Sequence, residues 1–377
     1  MNETTFGTIS DDVNATATGN GVEPVFSRYS WTEFCKIHAP LAIYVDQWVT
    51  PIWYFIGIFG NICSAKVWME KRMCHNNSSA VYLVALSISD LLALLLHIVQ
   101  ELQYAWGVNT LHHPVVCEAY FLIYLAPQYL SPLLVLGFTV ERWIAICHPF
   151  SRERFCTAAR AKKVVFVMIL STMALGSIQG YFWVYDTSMN ACTVRRDLNN
   201  GEGSLYSIWT WIVEMLIFGV VPLVVLLFNI LVILEIRKIT KMARIVGPDS
   251  GSGKSAASTM MLLAVSFYLI FTVLPTTIVF VLESTIPSGN DTLTDDQIRV
   301  DPTWQAFIMY VTSRKIIDEI CLSHFACNIF LYCVTGKLFR KALVDDVRQM
   351  CLSDEAKTNY AEVNGGTVGR TTMMTKV

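Results

Sequence analysis

The sequence predicts an all-α membrane protein: a seven-transmembrane helix bundle with a short amphipathic helix after the seventh span. Three observations lead there. Of 377 residues, 54% are hydrophobic and only 15% charged, against roughly 25% charged in an ordinary soluble domain. Seven runs are long and apolar enough to cross a hydrocarbon core about 30 Å thick, which takes roughly 20 residues at about 1.5 Å of rise each. The basic residues gather in alternate connections between those runs. Too few charges remain to coat two or three soluble globules. A net charge of -2 leaves no electrostatic footprint for nucleic acid.

The first span, Gln47 to Ala65, holds no charge; the second, Ser78 to Gln100, holds only Asp90; the third, Ala119 to Val140, is uncharged. The fourth covers Val164 to Tyr185, the fifth Ser204 to Leu234 with Glu214, and the sixth Ser255 to Leu282. The seventh, Ala306 to Val334, carries Arg314, Lys315, Asp318 and Glu319 in its first half. Residues 47–336 therefore form the membrane domain, between a largely disordered, glycosylated extracellular N-terminal region 1–46 and a cytoplasmic amphipathic helix and tail 337–377. Met1 to Thr32 is polar and reads as disordered, and no cleavable signal peptide is visible in it.

Lys71 and Arg72 follow span 1; Arg152, Arg154, Arg160, Lys162 and Lys163 follow span 3; Arg237, Lys238, Lys241, Arg244 and Lys254 follow span 5. The other connections hold only Arg195, Arg196 and Arg299. The positive-inside rule then places the N-terminus outside. Glycosylation sequons at Asn2, Asn14 and Asn290 fall on that outer side, while Asn76 and Asn77 fall inside. The expected location is the plasma membrane, as a multi-pass protein.

Polar side chains within spans should face protein or water rather than lipid. Tyr124, Gln128, Ser131, Val135, Phe138 and Arg142 recur at helical steps and make one inward stripe, about 27 Å long. Arg314, Asp318, Cys321, Phe325, Asn328 and Tyr332 do so in span 7, and Asp90, His97 and Glu101 in span 2. A mid-membrane carboxylate costs about 2.5–3.5 kcal/mol even on the lenient insertion scale, so Asp90 needs a partner, a cation or a proton. Pro222 and Pro275 lie mid-span, and Pro127 and Pro132 bracket Ser131. Each proline frees a carbonyl and introduces a joint, so the bundle suits a conformational switch.

Over about Trp48 to Arg340 these residues resemble the class A, or rhodopsin-like, G-protein-coupled receptors, one motif per span. Gly60-Asn61, Leu86 to Leu91 with Asp90, Glu141-Arg142-Trp143, Pro222, Pro275 and Asn328-Ile329-Phe330-Leu331-Tyr332 match in order. Cys117 and Cys192 match the family's disulfide, and Trp106 its first outer loop. The departures are Ile329 for the span 7 proline, Val273 for the span 6 tryptophan, Ile230 for the span 5 tyrosine, His324 for a common asparagine, and no mid-span tryptophan in span 4.

The resemblance implies that Glu141, Arg142, Trp143 and Tyr332, with Arg237 and Lys238, couple to a heterotrimeric G protein, and that arrestin is a further partner. Glu141 is expected to hold Arg142 at rest. Relatives add an acid at the inner end of span 6 where this chain has Ser255, so a weak lock and appreciable basal signalling are expected. Asp90, Ser131 and Asn328 resemble an allosteric sodium site, although a hard cation wants more oxygens than three residues bring. Gly336 to Lys341 reads as an interfacial amphipathic helix, with Cys333 or Cys351 as lipidation candidates. Thr375-Lys376-Val377 has the ending that PDZ domains capture.

Two ligand classes are disfavoured: Lys315 lies too near the outer end for a retinal Schiff base, and Tyr124 stands where amine receptors place an aspartate. The outer halves instead carry Gln100, Glu101, Gln128, Glu214, Arg314, Lys315, Asp318 and Glu319, and the expected ligand contacts are Gln100, Glu101, Tyr124, Gln128, Glu214, Arg314 and Asp318. Charges of both signs on several helices suit an extracellular peptide, a neuropeptide or hormone; pairing of Arg314 or Lys315 with Asp318 or Glu319 within span 7 is the plainer account of those charges. A non-peptide small molecule is an alternative, as is a transporter or channel using Asp90 and His97, although the internal repeats common in transporters are not seen. An enzyme is not expected: the P-loop-like run Gly247 to Ser255 has the wrong glycine spacing and no preceding strand. Once Cys117 pairs with Cys192, Cys35 is left free or available to another chain.

Overall fold

The computed structural model describes residues 23–75, 77–187, 191–199, 203–246 and 253–351, the side chains of 243–246, 253–258 and 349–351 excepted. Asn2, Asn14, Asn76 and Thr375 to Val377 lie outside the described residues, as do the side chains of Arg244, Lys254, Ser255 and Cys351.

The chain begins with α1 (Val25–Arg28), α2 (Trp31–His38) and α3 (Pro40–Trp48). Ser30 starts α2 with a reciprocal capping box: its Oγ accepts from Glu33 N at 3.3 Å, and the Glu33 carboxylate accepts from Ser30 N at 3.0 Å. This corrects the expectation that 1–46 is largely disordered, for the part from Val25 onward. Val25, Phe34, Cys35, Ala42 and Ile43 are buried together with Ile298, Trp304 and Phe307 from the far end of the chain. Average polarity over Met1 to Thr32 hides the aromatics Phe26, Tyr29 and Trp31 that drive this docking. Cys35 is buried within the cluster, which pushes its thiol pKa up and keeps it from pairing with another chain in this state.

The membrane-crossing helices follow. Span 1 is α4 (Thr50–Met69), prolonged by α3 into an apolar length of 30 residues. After α5 (Lys71–Cys74) come α6 (Ser78–Tyr104), α7 (Pro114–Cys147), the connecting α8 (Pro149–Phe155) and α9 (Ala158–Phe182). Span 4 stops at Phe182, three residues before the expected Tyr185. Strand β1 (Trp183–Asp186) leaves the helix to pair antiparallel with β2 (Ala191–Val194), Tyr185 opposite Cys192. A disulfide joins Cys192 to Cys117 with Cα atoms 5.6 Å apart, tying the hairpin to the start of α7. Trp183 stacks on Phe121 at 3.9 Å in the same corner.

Span 5 comprises α10 (Leu205–Glu214), a π-helical turn Met215–Val220 and α11 (Val221–Val246). Pro222 has no N–H for the carbonyl of Phe218, four residues earlier, so that oxygen needs another donor. Thr277 Oγ1, on α12 (Gly253–Leu282), supplies it at 2.7 Å. The proline thereby becomes a joint between spans 5 and 6. Pro127 and Pro132, by contrast, do not break α7, which runs unbroken through both. After α13 (Asp295–Ile298), span 7 is α14 (Pro302–Ala326) and α15 (Asn328–Thr335), bent by 56° at Cys327. The bend is present although Ile329 replaces the family's proline. Among the described residues six helices are long and apolar enough to cross a membrane, seven with this bent pair. Finally α16 (Lys337–Cys351) folds back, with Asp346 paired to Lys66 at 2.7 Å and Asp345 to Arg72 at 2.9 Å.

Helices α7 and α9 pack closely through Gly176 and Gly180. A Cβ on Gly176 would sit 2.6 Å from the Leu122 carbonyl oxygen, and one on Gly180 would sit 2.9 Å from Leu122 Cβ. Small residues four apart let two membrane helices approach at backbone distance. Gly176→Leu should cost about 3 kcal/mol, the upper end for overpacking, and the thermal unfolding of purified receptor measures it.

The N-terminal helices grip the segment around α13. Val25 N donates to Asp291 O at 2.8 Å, and Tyr29 Oη to Asp295 Oδ2 at 2.7 Å. His38 Nε2 lies 3.5 Å from Asp295 Oδ1. Burial holds the His38 pKa below its ordinary 6.5, against the opposing pull of Asp295 and with Arg299 and Arg28 adding to the depression. A depressed histidine favours the folded state above its unfolded pKa and loses that contribution as pH falls. The docking should therefore weaken below about pH 6.5. Trp304 emission followed from pH 8 to 5 should report it, and His38→Phe should remove the dependence.

Candidate functional site

The inward stripes read from the sequence converge on one cavity near the N-terminal mouth of the bundle. Its walls carry Gln100 and Glu101 from α6, Gln128 from α7, and Lys315, Asp318 and Glu319 from α14. Four of the seven expected ligand residues (Gln100, Glu101, Gln128 and Asp318) are thus brought together. Asp46 of α3 completes the charged wall and pairs with Lys315 at 2.9 Å. The sequence reading missed it by ending the N-terminal region at residue 46; an aspartate one residue before an apolar run was the available signal.

The remaining three expected residues support the walls. Tyr124 is fully buried and stacks on Tyr120 at 4.9 Å. Glu214 accepts from Tyr129 Oη at 3.0 Å, tying α10 to α7. Arg314 pairs with Glu283 at 3.0 Å and with Asp318 at 3.6 Å, so the pairing within span 7 holds alongside a link to the end of span 6.

The cavity measures about 60 Å³, room for the head of one side chain and not for a whole peptide. Its chemistry is one-sided. Gln100 Oε1, Glu101 Oε1, Asp318 Oδ1 and Glu319 Oε2 are buried and have no hydrogen-bond partner among the described residues. All four are acceptors. Glu319 uses its other oxygen to accept from Thr50 Oγ1 at 2.5 Å. Leaving a buried acceptor unpaired costs about 1–3 kcal/mol, more when charged, so this wall is built for donors arriving from elsewhere.

Deeper in the bundle, fully buried Asp90 accepts from Ser131 Oγ on Oδ1 and from Asn328 Nδ2 on Oδ2, each at 2.7 Å. At the opposite mouth Arg142 Nη2 donates to Ser79 Oγ. A model of the rhodopsin family of seven-transmembrane receptors matches residues 60–335. The chain belongs to that family.

Among its relatives, a neuromedin U receptor homolog of Caenorhabditis elegans is 31% identical over 30% of this chain and 28% of its own length. Neurotensin receptor type 1 of Homo sapiens is 31% identical over 42% of this chain and 39% of its own length. The pyrokinin-1 receptor of Drosophila melanogaster is 34% identical over 34% and 30%. The matched stretches span less than two-fifths of each of these relatives. The family consists of receptors, not enzymes.

Within this rhodopsin-family chain the expected sodium ligands do not fit the ion. Both Asp90 oxygens already accept hydrogen bonds, and Asn328 turns its amide nitrogen toward the carboxylate. The space beside Ser131 and Asn328 is about 10 Å³, enough for one water and short of the oxygens a hard cation needs. The buried Asp90 carboxyl is satisfied instead by Ser131 of span 3 and Asn328 of span 7. It shares no hydrogen-bond partner with His97, which pairs with Tyr54 Oη at 2.7 Å, so the two do not form one proton path among the described residues.

The expected coupling residues of this receptor separate into three places. Arg142 is held by Ser79 rather than by Glu141, a correction to the expected resting pair; the Glu141 oxygen Oε2 is buried without a partner. The Glu141 carboxyl is turned instead toward Ser78 and Tyr82 of α6. Trp143, Arg237 and Lys238 line a second cavity beside α11. Tyr332 is buried edge-on against Trp68 at 5.5 Å, next to Phe339 of α16.

Proposed function

We propose that this chain is a plasma-membrane receptor for an extracellular peptide, N-terminus outside, that transmits binding to heterotrimeric G proteins. The observation that carries this reading is the wall of four unpaired acceptors, three of them on carboxylates. Asp46 and Lys315 neutralise each other, and Arg314 answers Asp318 and Glu283. Glu101 and Glu319 are left for the ligand. A guanidinium or ammonium group brings charge-assisted donors of the right kind. In so small a cavity it enters as one basic side chain or an amino terminus, while the rest of the peptide lies against the N-terminal helices and the β1–β2 hairpin. The names of the matching relatives, receptors for neuromedin U, neurotensin and pyrokinin, agree with a peptide ligand. The Asn290 sequon, exposed near α13, suits glycosylation on the outer side, and arrestin is the expected second partner at the inner face.

Positional-scanning libraries of short peptides, read by G-protein dissociation in expressing cells, test this. Sub-libraries that fix arginine, lysine or a free amino terminus should activate. Equal activity from sub-libraries with no basic group would count against the cationic peptide.

A further inference from the structure

We propose that the cavity between the inner ends of α7 and α11 binds the headgroup of an anionic phospholipid. The cavity is about 420 Å³ and is lined by Trp143 and Cys147 of α7 and by Leu231, Leu234, Glu235, Arg237, Lys238 and Lys241 of α11. Its position relative to lipid follows from the outer face of α11. Leu223, Leu227, Ile230, Leu231 and Leu234 are each more than a third exposed and recur at steps of three and four, which makes one apolar stripe turned away from the bundle. From Leu223 to Leu234 that stripe runs about 16 Å, close to one leaflet of a core about 30 Å thick. At its inner end the same spacing continues into Lys238 and Lys241. Acyl chains lying along the leucines therefore deliver their phosphate to the bases.

Charge supports this occupant over a neutral lipid. Glu235 is the one acid in the lining, and Lys238 pairs with it at 3.0 Å. Arg237 and Lys241 are exposed and make no ion pair among the described residues. Trp143 forms the back wall, fixed between the rings of Phe228 at 5.2 Å and His148 at 4.8 Å. In the orientation proposed above this mouth faces the cytoplasmic leaflet, where anionic lipids concentrate and each nearby Lys or Arg favours binding about fivefold. The bases expected to dock a G protein thus sit on a lipid as well, so the lipid would pre-form part of that surface.

Full-length receptor in nanodiscs without G protein tests this. Brominated phosphatidylserine or brominated phosphatidylcholine is added at equal mole fraction, and emission of wild type minus Trp143→Phe isolates Trp143 from the ten tryptophans. Phosphatidylserine should quench Trp143 at several-fold lower mole fraction. The preference should fall about fivefold per base in Arg237→Gln and Lys241→Gln, and should survive in the charge-conserving pair Arg237→Lys and Lys241→Arg, which controls for folding. Equal quenching by the two lipids in the wild type would overturn the proposal. So would an undiminished preference in both glutamine variants, even if their G-protein activation is lost.

Discussion

Glu101→Gln should raise the concentration of activating peptide needed for half-maximal response about 30-fold or more, with surface expression unchanged. Glu101 lines the cavity, is buried, and keeps one carboxylate oxygen without a partner. Removing one member of a buried, hydrogen-bonded charge pair costs about 2–5 kcal/mol in binding, chiefly because the other charge is left unpaired. Glutamine preserves shape and the acceptor oxygen but not the charge, so the loss reads the electrostatic part. Glu319→Gln should behave alike, because the same ligand group is answered from α6 and α14 together. The double variant should then lose less than the sum of the two, the sign of two residues serving one group. Dose–response curves for the four chains measure all of this. Full additivity would place the two acids on different parts of the ligand.

Arg142→Ala should abolish G-protein activation while leaving peptide affinity within about threefold, the additivity expected of distant sites. In the described state Arg142 is tied to Ser79 on α6 and not to Glu141. A single hydroxyl is a weak restraint, since a hydrogen bond to a charged group contributes about 1.5–3 kcal/mol. Ser79→Ala should therefore raise basal G-protein dissociation several-fold, and Ser79→Ala with Arg142→Ala should return it to the level of untransfected cells. Basal dissociation unchanged in Ser79→Ala would show that this contact does not restrain the switch.

Much of this molecule could be read without coordinates, for definite reasons. Membrane spans are set by length and hydropathy, so all seven helices were found, and helical period put Gln100, Glu101, Gln128 and Asp318 on the faces that meet. What the sequence left hidden depends on which group answers which across the bundle. Nothing in Pro222 reveals that Thr277, on the next span, supplies the donor for the Phe218 carbonyl, or that a π turn absorbs the mismatch. Nothing in Glu141-Arg142 reveals that Ser79 takes the guanidinium. The N-terminal helices escaped because a mean over 32 residues diluted three aromatics, Phe26, Tyr29 and Trp31, whose partners, Trp304 and Phe307, lie more than 260 positions away. With them Asp46 escaped too. The break at Cys327 shows the opposite error: the family's proline is absent, yet the helix still turns by 56°.

The central claim, that a peptide acts through this bundle on G proteins, is tested most directly by G-protein dissociation in cells expressing the chain or its Arg142→Ala variant, challenged with fractionated tissue extract before and after protease digestion. The predicted result is a fraction that activates the wild-type chain, fails on the variant at matched surface expression, and loses its activity once digested. A fraction whose activity survives digestion, or activates the variant equally, would contradict it.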